Sequence, residues 1–277
     1  MNPGLGDDHA SILYYDGDYP SADDGRAPEN FDETTVAQGL SHDVARFLEL
    51  AHEHGDPVLD IATGTGRIAI PLARQGFRVV GVDVSRAMLD QFRSKLEQEA
   101  PATRARIDLV RQDASELSLP QAEFPFALIG FNSLLCIPEF GLQLATLKAI
   151  GTHVCRGGHL AIDLINPLIL SIGGDRSPTP FFTRKNPHNG RMYTRFAAMG
   201  PFDARQRQKL YGWYDEISPD GTVRRTPYEM LWRPIFRYEI ELMLREAGFE
   251  IVTLEGGHQK EPYLASSRKM FVVARRE

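Results

Sequence analysis

The chain has 277 residues, of which 42% are hydrophobic and 25% charged, with a net charge of −6. That balance suits a globular protein with one large domain, or a domain carrying a sizeable insertion. The acidity argues against a nucleic-acid backbone as the main partner, no apolar run approaches the roughly 20 residues of a membrane span, and the polar start is unlike a secretory signal.

Residues 1–31 are rich in Gly, Asp, Pro and Tyr and lack periodicity, which predicts a loop-like arm able to close as a lid over a ligand. Val36, Leu40, Val44, Phe47, Leu48 and Ala51 then share one helical face, ended by Gly55. The first strand is read at Val58 to Ala62. The next helix starts at Arg67, carries Ile68, Leu72 and Ala73, tolerates Pro71 in its first turn and stops at Gly76. Strand two runs Phe77 to Val82. Ser85 can cap the following helix, whose buried stripe is Met88, Leu89, Phe92 and Leu96. Strand three is Ile107 to Val110 and strand four Phe126 to Phe131. After a helix near Leu142 to Val154, Gly157-Gly158 turns into strand five, Leu160 to Ile165. Strands alternating with helices through short turns predict a parallel sheet covered on both faces.

From about Gly173 to Trp232 the helical period is lost. Met192 to Ala197 and Lys209 to Ile217 read as strands, Pro219-Asp220-Gly221 is a turn, and Thr222 to Arg225 starts a return strand. Residues 173–232 are thus expected to be an antiparallel β insertion between two parts, 32–172 and 233–277, of an α/β domain. A last helix near Pro234, stopped by Gly248, and strands Phe249 to Leu254 and Met270 to Ala274 complete the pattern.

Three acids end successive apolar runs: Asp60, Asp83 and Asp113. Gly64 and Gly66, in the turn after the first run, allow close backbone approach to a ligand. A carboxylate about 20 residues on can accept hydrogen bonds from both ribose hydroxyls, and one at the third tip can accept from an exocyclic amino group. Open α/β sheets bind ligands at this edge.

Those residues carry a resemblance. Leu59-Asp60-Ile61-Ala62-Thr63-Gly64-Thr65-Gly66, Gly81-Val82-Asp83-Val84-Ser85-Arg86-Ala87-Met88-Leu89 and Gln112-Asp113-Ala114 resemble the first three motifs of class I S-adenosylmethionine-dependent methyltransferases of the small-molecule type. Phe131-Asn132-Ser133, Arg156-Gly157-Gly158-His159-Leu160 and the Glu241 to Phe249 passage are similar to later ones. The resemblance implies a Rossmann-like sheet of order 3-2-1-4-5-7-6, strand seven antiparallel, and S-adenosylmethionine as cofactor. It implies that Ala62, Thr63, Gly64 and Gly66 line the methionine moiety with Asp60 near its ammonium group. Asp83 would take the ribose, Val84 and Met88 the adenine faces, Asp113 and Ala114 the adenine edge, and Phe131 would stand near the sulfonium methyl. Ala62 departs from the Gly or Cys that many members carry. Tyr14 or Tyr15 is expected to close over the cofactor.

Tyr15, Tyr19, Asn132, Arg195, Tyr211, Trp213 and Trp232 are the candidate substrate contacts. Strand alternation pairs Tyr193 with Arg195, and Tyr211 with Trp213, on single faces. No residue stands out as a catalytic base, no metal site is expected, and Ser-His-Asp or His-Glu-x-x-His patterns do not stand out. A neutral amine needs no base, so nitrogen is favoured over oxygen as the methyl acceptor. A small-molecule substrate, a cytoplasmic location and a homo-oligomer are further expectations. Gly64-Thr65-Gly66-Arg67-Ile68-Ala69 also fits a dinucleotide loop, so an NAD(P)-dependent oxidoreductase is the rival. Asp60 beside a pyrophosphate and the lack of a Tyr-x-x-x-Lys pair weigh against it. The same motifs would also suit a cofactor-binding enzyme that cyclises without methylating, or a non-catalytic partner subunit.

Overall fold

The computed structural model describes residues 9–20, 33–34, 40–120 and 123–277. Most of the expected arm, and Val36 of the expected first helical face, lie outside the described residues. The elements in chain order are α1 (Ala10–Asp18), α2 (Asp43–His54), β1 (Val58–Ile61), α3 (Ala69–Arg74), β2 (Val79–Asp83), α4 (Arg86–Leu96), α5 (Pro101–Arg104), β3 (Ile107–Arg111), β4 (Phe124–Ile129), α6 (Phe140–His153) and β5 (Val154–Ile165). Four further strands follow: β6 (Thr179–Lys185), β7 (Met192–Met199), β8 (Gln208–Ile217) and β9 (Val223–Trp232). The chain closes with α7 (Arg237–Glu246), β10 (Phe249–Glu255) and β11 (Lys269–Arg276).

Seven strands form the main sheet in the order β10-β11-β5-β4-β1-β2-β3. Counting only these strands, this is 3-2-1-4-5-7-6, with β11 antiparallel to both β5 and β10. β1 to β5 run parallel, and Ile61 pairs with both Val82 and Ile129, so the C-terminal tips of β1, β2 and β4 lie level. Continuous apolar strands such as Val58-Leu59 and Ala127-Leu128 are buried because helices cover both faces. On one face Phe47, Leu50, Leu72 and Phe92 pack on Val58, Val79, Phe126 and Leu128. On the other, Leu147, Ile150, Ile240, Met243 and Leu244 pack on Leu59, Ile61, Ile129 and Ile162.

The helix after β1 starts at Ala69 rather than Arg67. Arg67 is instead buried in an ion pair with Asp43. Strand five starts early, at Val154, and bulges at Gly157 (φ +78°) before pairing resumes at His159 with Phe126.

The region from β6 to β9 folds as a separate four-stranded antiparallel sheet in sequential order. Here β6 appears where no strand was expected, and β9, which begins within the expected Thr222 to Arg225 start, runs on to Trp232. The arm also departs from expectation, since Ala10–Asp18 is helical. This helix is buried on more than one side. Tyr14 stacks on Tyr214 of β8 (ring centroids 4.1 Å apart), while Gln91 of α4 donates to the Ile12 carbonyl. A helix wedged between two bodies shows no single apolar stripe, which is the signal that periodicity detects.

Candidate active site

A cavity of about 540 Å³ runs along the C-terminal tips of the main sheet and is roofed by α1 and the second sheet. Its floor at one end is the turn after β1. Ala62 (φ +56°), Gly64 (φ +58°) and Gly66 (φ +84°) all hold left-handed backbone there, and the Thr63 N–H bonds to the Val82 carbonyl at 3.0 Å. Ala62 is a non-glycine residue in that region, which explains on steric grounds why glycine suits the position. A Cβ on Gly64 would have the Tyr15 hydroxyl as its nearest neighbour, at 3.8 Å. A Cβ on Gly66 would fall 2.3 Å from the Phe92 ring. Gly64 is thus the glycine that opens the cavity, while Gly66 lets α4 pack against the turn and does not line the cavity.

Asp83 joins the turn to the tip of β2. Its Oδ2 accepts from the Gly64 N–H at 2.8 Å and its Oδ1 from the Ser85 N–H at 2.9 Å. The carboxylate is thereby aimed into the cavity, and with about four lone-pair sites a carboxylate can take further donors there. Val84, half exposed, and Met88 flank it, and Gln112, Asp113 and Ala114 continue the wall. Asp113 Oδ1 accepts from both the N–H (2.9 Å) and the hydroxyl (2.8 Å) of Ser115, which fixes its rotamer.

Asp60 lies behind the turn and is 2% exposed. Its Oδ2 accepts from the Thr63 hydroxyl at 2.6 Å, and among the described residues no cation pairs with it. Burial pushes its carboxyl up to about 7, with the nearby Asp83 adding to the rise. A buried carboxyl with no ion-pair contact among the described residues, which the Arg67 charge reaches only at a distance, sits beside a turn of left-handed backbone and fits a cationic group such as the ammonium of the expected cofactor. The donor and acceptor set thus suits an adenosyl amino acid: a carboxylate for a cation, a carboxylate for a diol, an apolar slot and a polar edge.

In the middle of the cavity, Phe131 (φ +41°) and Asn132 (φ +63°) make a left-handed pair after β4. Asn132 holds it: its N–H donates to the Asp163 carbonyl (2.8 Å) and its Oδ1 accepts from Ile165 N–H (2.5 Å). The Phe131 ring is fixed between Arg67 and Lys269, whose cations lie 5.3 and 4.9 Å from its centroid, and packs against Tyr19 at 4.7 Å. Lys269 is itself neutralised by the buried Asp163 at 3.0 Å, which draws that carboxyl below its usual range against the effect of burial.

The cavity gathers most of the expected residues. Ala62, Gly64, Asp83, Val84, Met88, Asp113, Ala114 and Phe131, together with Tyr15, Tyr19, Asn132, Arg195 and Trp232, line it. Asp60, Thr63 and Gly66 support the turn from behind. Tyr14 does not line the cavity; it is buried in an aromatic stack with Tyr214 and Tyr193. Tyr15 stands beside Gly64 instead. Tyr211 and Trp213 also fall outside the lining. Trp213 stacks on Phe196 (5.0 Å) and under Arg225 (4.4 Å), while Leu210 on the opposite face of β8 reaches the cavity. Sequence reasoning overlooked Cys136, Met199, Leu210, Met230 and Lys269 as lining residues. Met199, Leu210 and Met230 share one register row (Met199 pairs with Leu210, Leu210 with Met230), which cross-strand pairing of the insertion would have revealed.

Arg195 is tied down. Its Nη1 donates to Asp18 (3.1 Å) and to the Tyr19 hydroxyl (2.9 Å), and its Nε to the Tyr228 hydroxyl (2.9 Å). Asp18 also accepts from Tyr193 (2.8 Å) and Tyr214 (2.7 Å), so this cluster fastens α1 to the second sheet. At the other side of α1, Asp16 accepts from Thr65 (2.7 Å) and Lys95 (2.6 Å) of the main domain. The helix bridges both bodies over the cavity mouth.

Residues 58–158 match the family model described as a methyltransferase domain. The chain is 28% identical over 225 residues to a cypemycin N-terminal methyltransferase from Streptomyces, covering 80% of this chain and 84% of the relative. Its fold is similar to that of the CcbJ methyltransferase from Streptomyces caelestis (TM-score 0.71, 24% identity, covering 85% of this chain and 95% of that one). It is also similar to that of a sugar N-methyltransferase from Streptoalloteichus (TM-score 0.65, 18% identity, covering 86% and 87%).

Proposed function

The chain is a class I S-adenosylmethionine-dependent methyltransferase, and we propose that it delivers the methyl group to a nitrogen of a small molecule. The cofactor supplies a methyl on a positively charged sulfur, a strong electrophile, so the protein's task is to align a nucleophile and exclude water. Asp60 would hold the ammonium group, Asp83 the ribose hydroxyls, Val84 and Met88 the adenine faces, and Asp113 the adenine edge. Tyr15 would cover the methionine moiety from α1.

The observation that carries the nitrogen reading is the absence of a usable base among the described residues lining the middle of the cavity. Burial pushes the Cys136 thiol up to about 11 and raises the phenols of Tyr15 and Tyr19 above their usual range. These groups stay protonated at neutral pH. A hydroxyl acceptor beside Phe131 would find none of these three groups ready to take its proton, whereas a neutral amine attacks with its own lone pair and sheds the proton afterwards. The relatives named for N-methylation support the same reading. Incubation with S-adenosylmethionine and a panel of amines, alcohols and phenols, followed by mass spectrometry and NMR of products, tests it. New N-methyl groups are expected; products carrying only O-methyl or C-methyl groups would overturn the nitrogen assignment.

The dinucleotide reading loses ground for a physical reason as well as through the comparisons. Asp60 would set a buried negative charge beside a pyrophosphate, and Asp113 would have no partner there.

A further inference from the structure

We propose that the acceptor amine is borne on an apolar body, alkyl or aryl, rather than on a sugar or other polyhydroxylated skeleton. The inference rests on the methyl-transfer reading above and concerns the half of the cavity beyond Phe131. That half is walled by Ile137, Ile169, Leu170, Phe181, Met199 and Met230, from five separate parts of the fold.

Most of the polar side chains that reach it are already engaged within the protein; Thr179 of β6 and the remaining lone pairs of Asp175 lie at its exposed rim. The Ser133 hydroxyl donates to the Gly130 carbonyl at 2.7 Å, and the Thr146 hydroxyl to the Leu142 carbonyl at 2.8 Å. The Trp232 indole N–H points at Met230 Sδ, 3.2 Å away. Arg195 is spent on Asp18, Tyr19 and Tyr228, and Lys269 on Asp163. At the rim, Asp175 Oδ2 accepts from the Met199 N–H at 2.7 Å. A polyhydroxylated acceptor would leave its hydration shell and meet few partners, which is costly for every hydroxyl buried. An apolar acceptor loses nothing there and gains the burial of its own surface.

The apolar character continues to the outside. Of the residues lining it, Ile169 in the loop between β5 and β6 and Phe181 of β6 are each 44% exposed. Large apolar side chains left in water at a cavity mouth mark a site that a ligand covers. The body of the acceptor would therefore extend past Ile169 and Phe181, with its amine delivered inward to Phe131.

The test uses the full chain loaded with S-adenosylhomocysteine, titrated by calorimetry with n-butylamine, n-hexylamine and n-octylamine, and with glucosamine as the polar comparator. Affinity should rise about fourfold per methylene while the chain stays inside the cavity, and glucosamine should bind more weakly than n-hexylamine. Ile169→Asp, at a half-exposed loop position, should weaken n-octylamine at least tenfold without changing S-adenosylhomocysteine affinity, and Ile169→Leu should restore it. A flat alkyl series, or tighter binding of glucosamine, would overturn the proposal. S-adenosylhomocysteine binding with a flat series would sink this inference alone; no S-adenosylhomocysteine binding would sink the parent reading and this inference together.

Discussion

Replacing Asp60 by asparagine separates the cost of the cofactor cradle from its use. In the cofactor-free protein the Asp60 carboxyl is raised from 3.8 to about 7, chiefly by burial. The folded state therefore holds this proton more tightly than the unfolded chain does. The stability it contributes is complete below pH 3.8 and is lost as pH rises through about 7. At about 1.36 kcal/mol per unit, the ionised group costs the folded protein about 4 kcal/mol above pH 7. Asp60→Asn removes the charge and keeps an oxygen for the Thr63 hydroxyl, now at 2.6 Å. The stability gap in favour of Asp60→Asn should grow by about 2.5 kcal/mol between pH 5 and pH 8, or about 5–10 °C in Tm for a chain of this size. Thermal unfolding of both proteins across that range, without ligand, measures it. With S-adenosylhomocysteine present the ranking should reverse, because in the proposed site only a carboxylate can pair with the ligand's ammonium. A gap that does not vary with pH, or a wild-type protein more stable than Asp60→Asn at pH 8, would refute the reasoning.

Other outcomes follow from the same geometry. The Kd of the wild-type protein for S-adenosylhomocysteine should rise roughly fivefold from pH 7 to pH 6 as Asp60 takes up its proton, and calorimetry would show a flat profile if Asp60 were not the ammonium partner. Gly66→Ala should lower stability by several kcal/mol through collision with Phe92, about the cost of overpacking plus left-handed strain, whereas Gly64→Ala should cost only about 1–2 kcal/mol; denaturant unfolding distinguishes them, and equal losses would contradict the assignment of the two glycines. Asp18→Asn leaves Arg195 buried without a counter-charge, which typically costs about 3–5 kcal/mol; faster proteolysis near α1 is expected, and an unchanged cleavage pattern would count against α1 being fastened there.

The main sheet was legible because parallel strands covered on both faces are continuous apolar runs, and helices between them repeat every three or four residues. Val58 to Ile61 and the acids ending the first three runs could be found that way. The second sheet was harder. Its edge strands β6 and β9 carry Pro180 and Pro227, which edges tolerate and central strands do not, so both read as broken patterns. The helix α1 was invisible because Tyr14 and Asp18 turn to one body while Asp16 turns to the other. Alternation put Tyr211 with Trp213 correctly on one face, but a strand pattern does not say which face looks inward; here it is the face of Leu210. Glycine pairs carry a similar ambiguity. Gly64 and Gly66 look equivalent in the sequence, and only the position of Phe92 assigns one to the cavity and the other to packing.

The most direct measurement is a pair of calorimetric titrations on the purified 277-residue chain, one with S-adenosylhomocysteine and one with NAD, repeated on Asp83→Asn. Saturable one-to-one binding of the first ligand only, weakened about 10- to 100-fold when the Asp83 charge is removed, is the predicted result. Binding of NAD without S-adenosylhomocysteine, or unaltered S-adenosylhomocysteine affinity in Asp83→Asn, would contradict it.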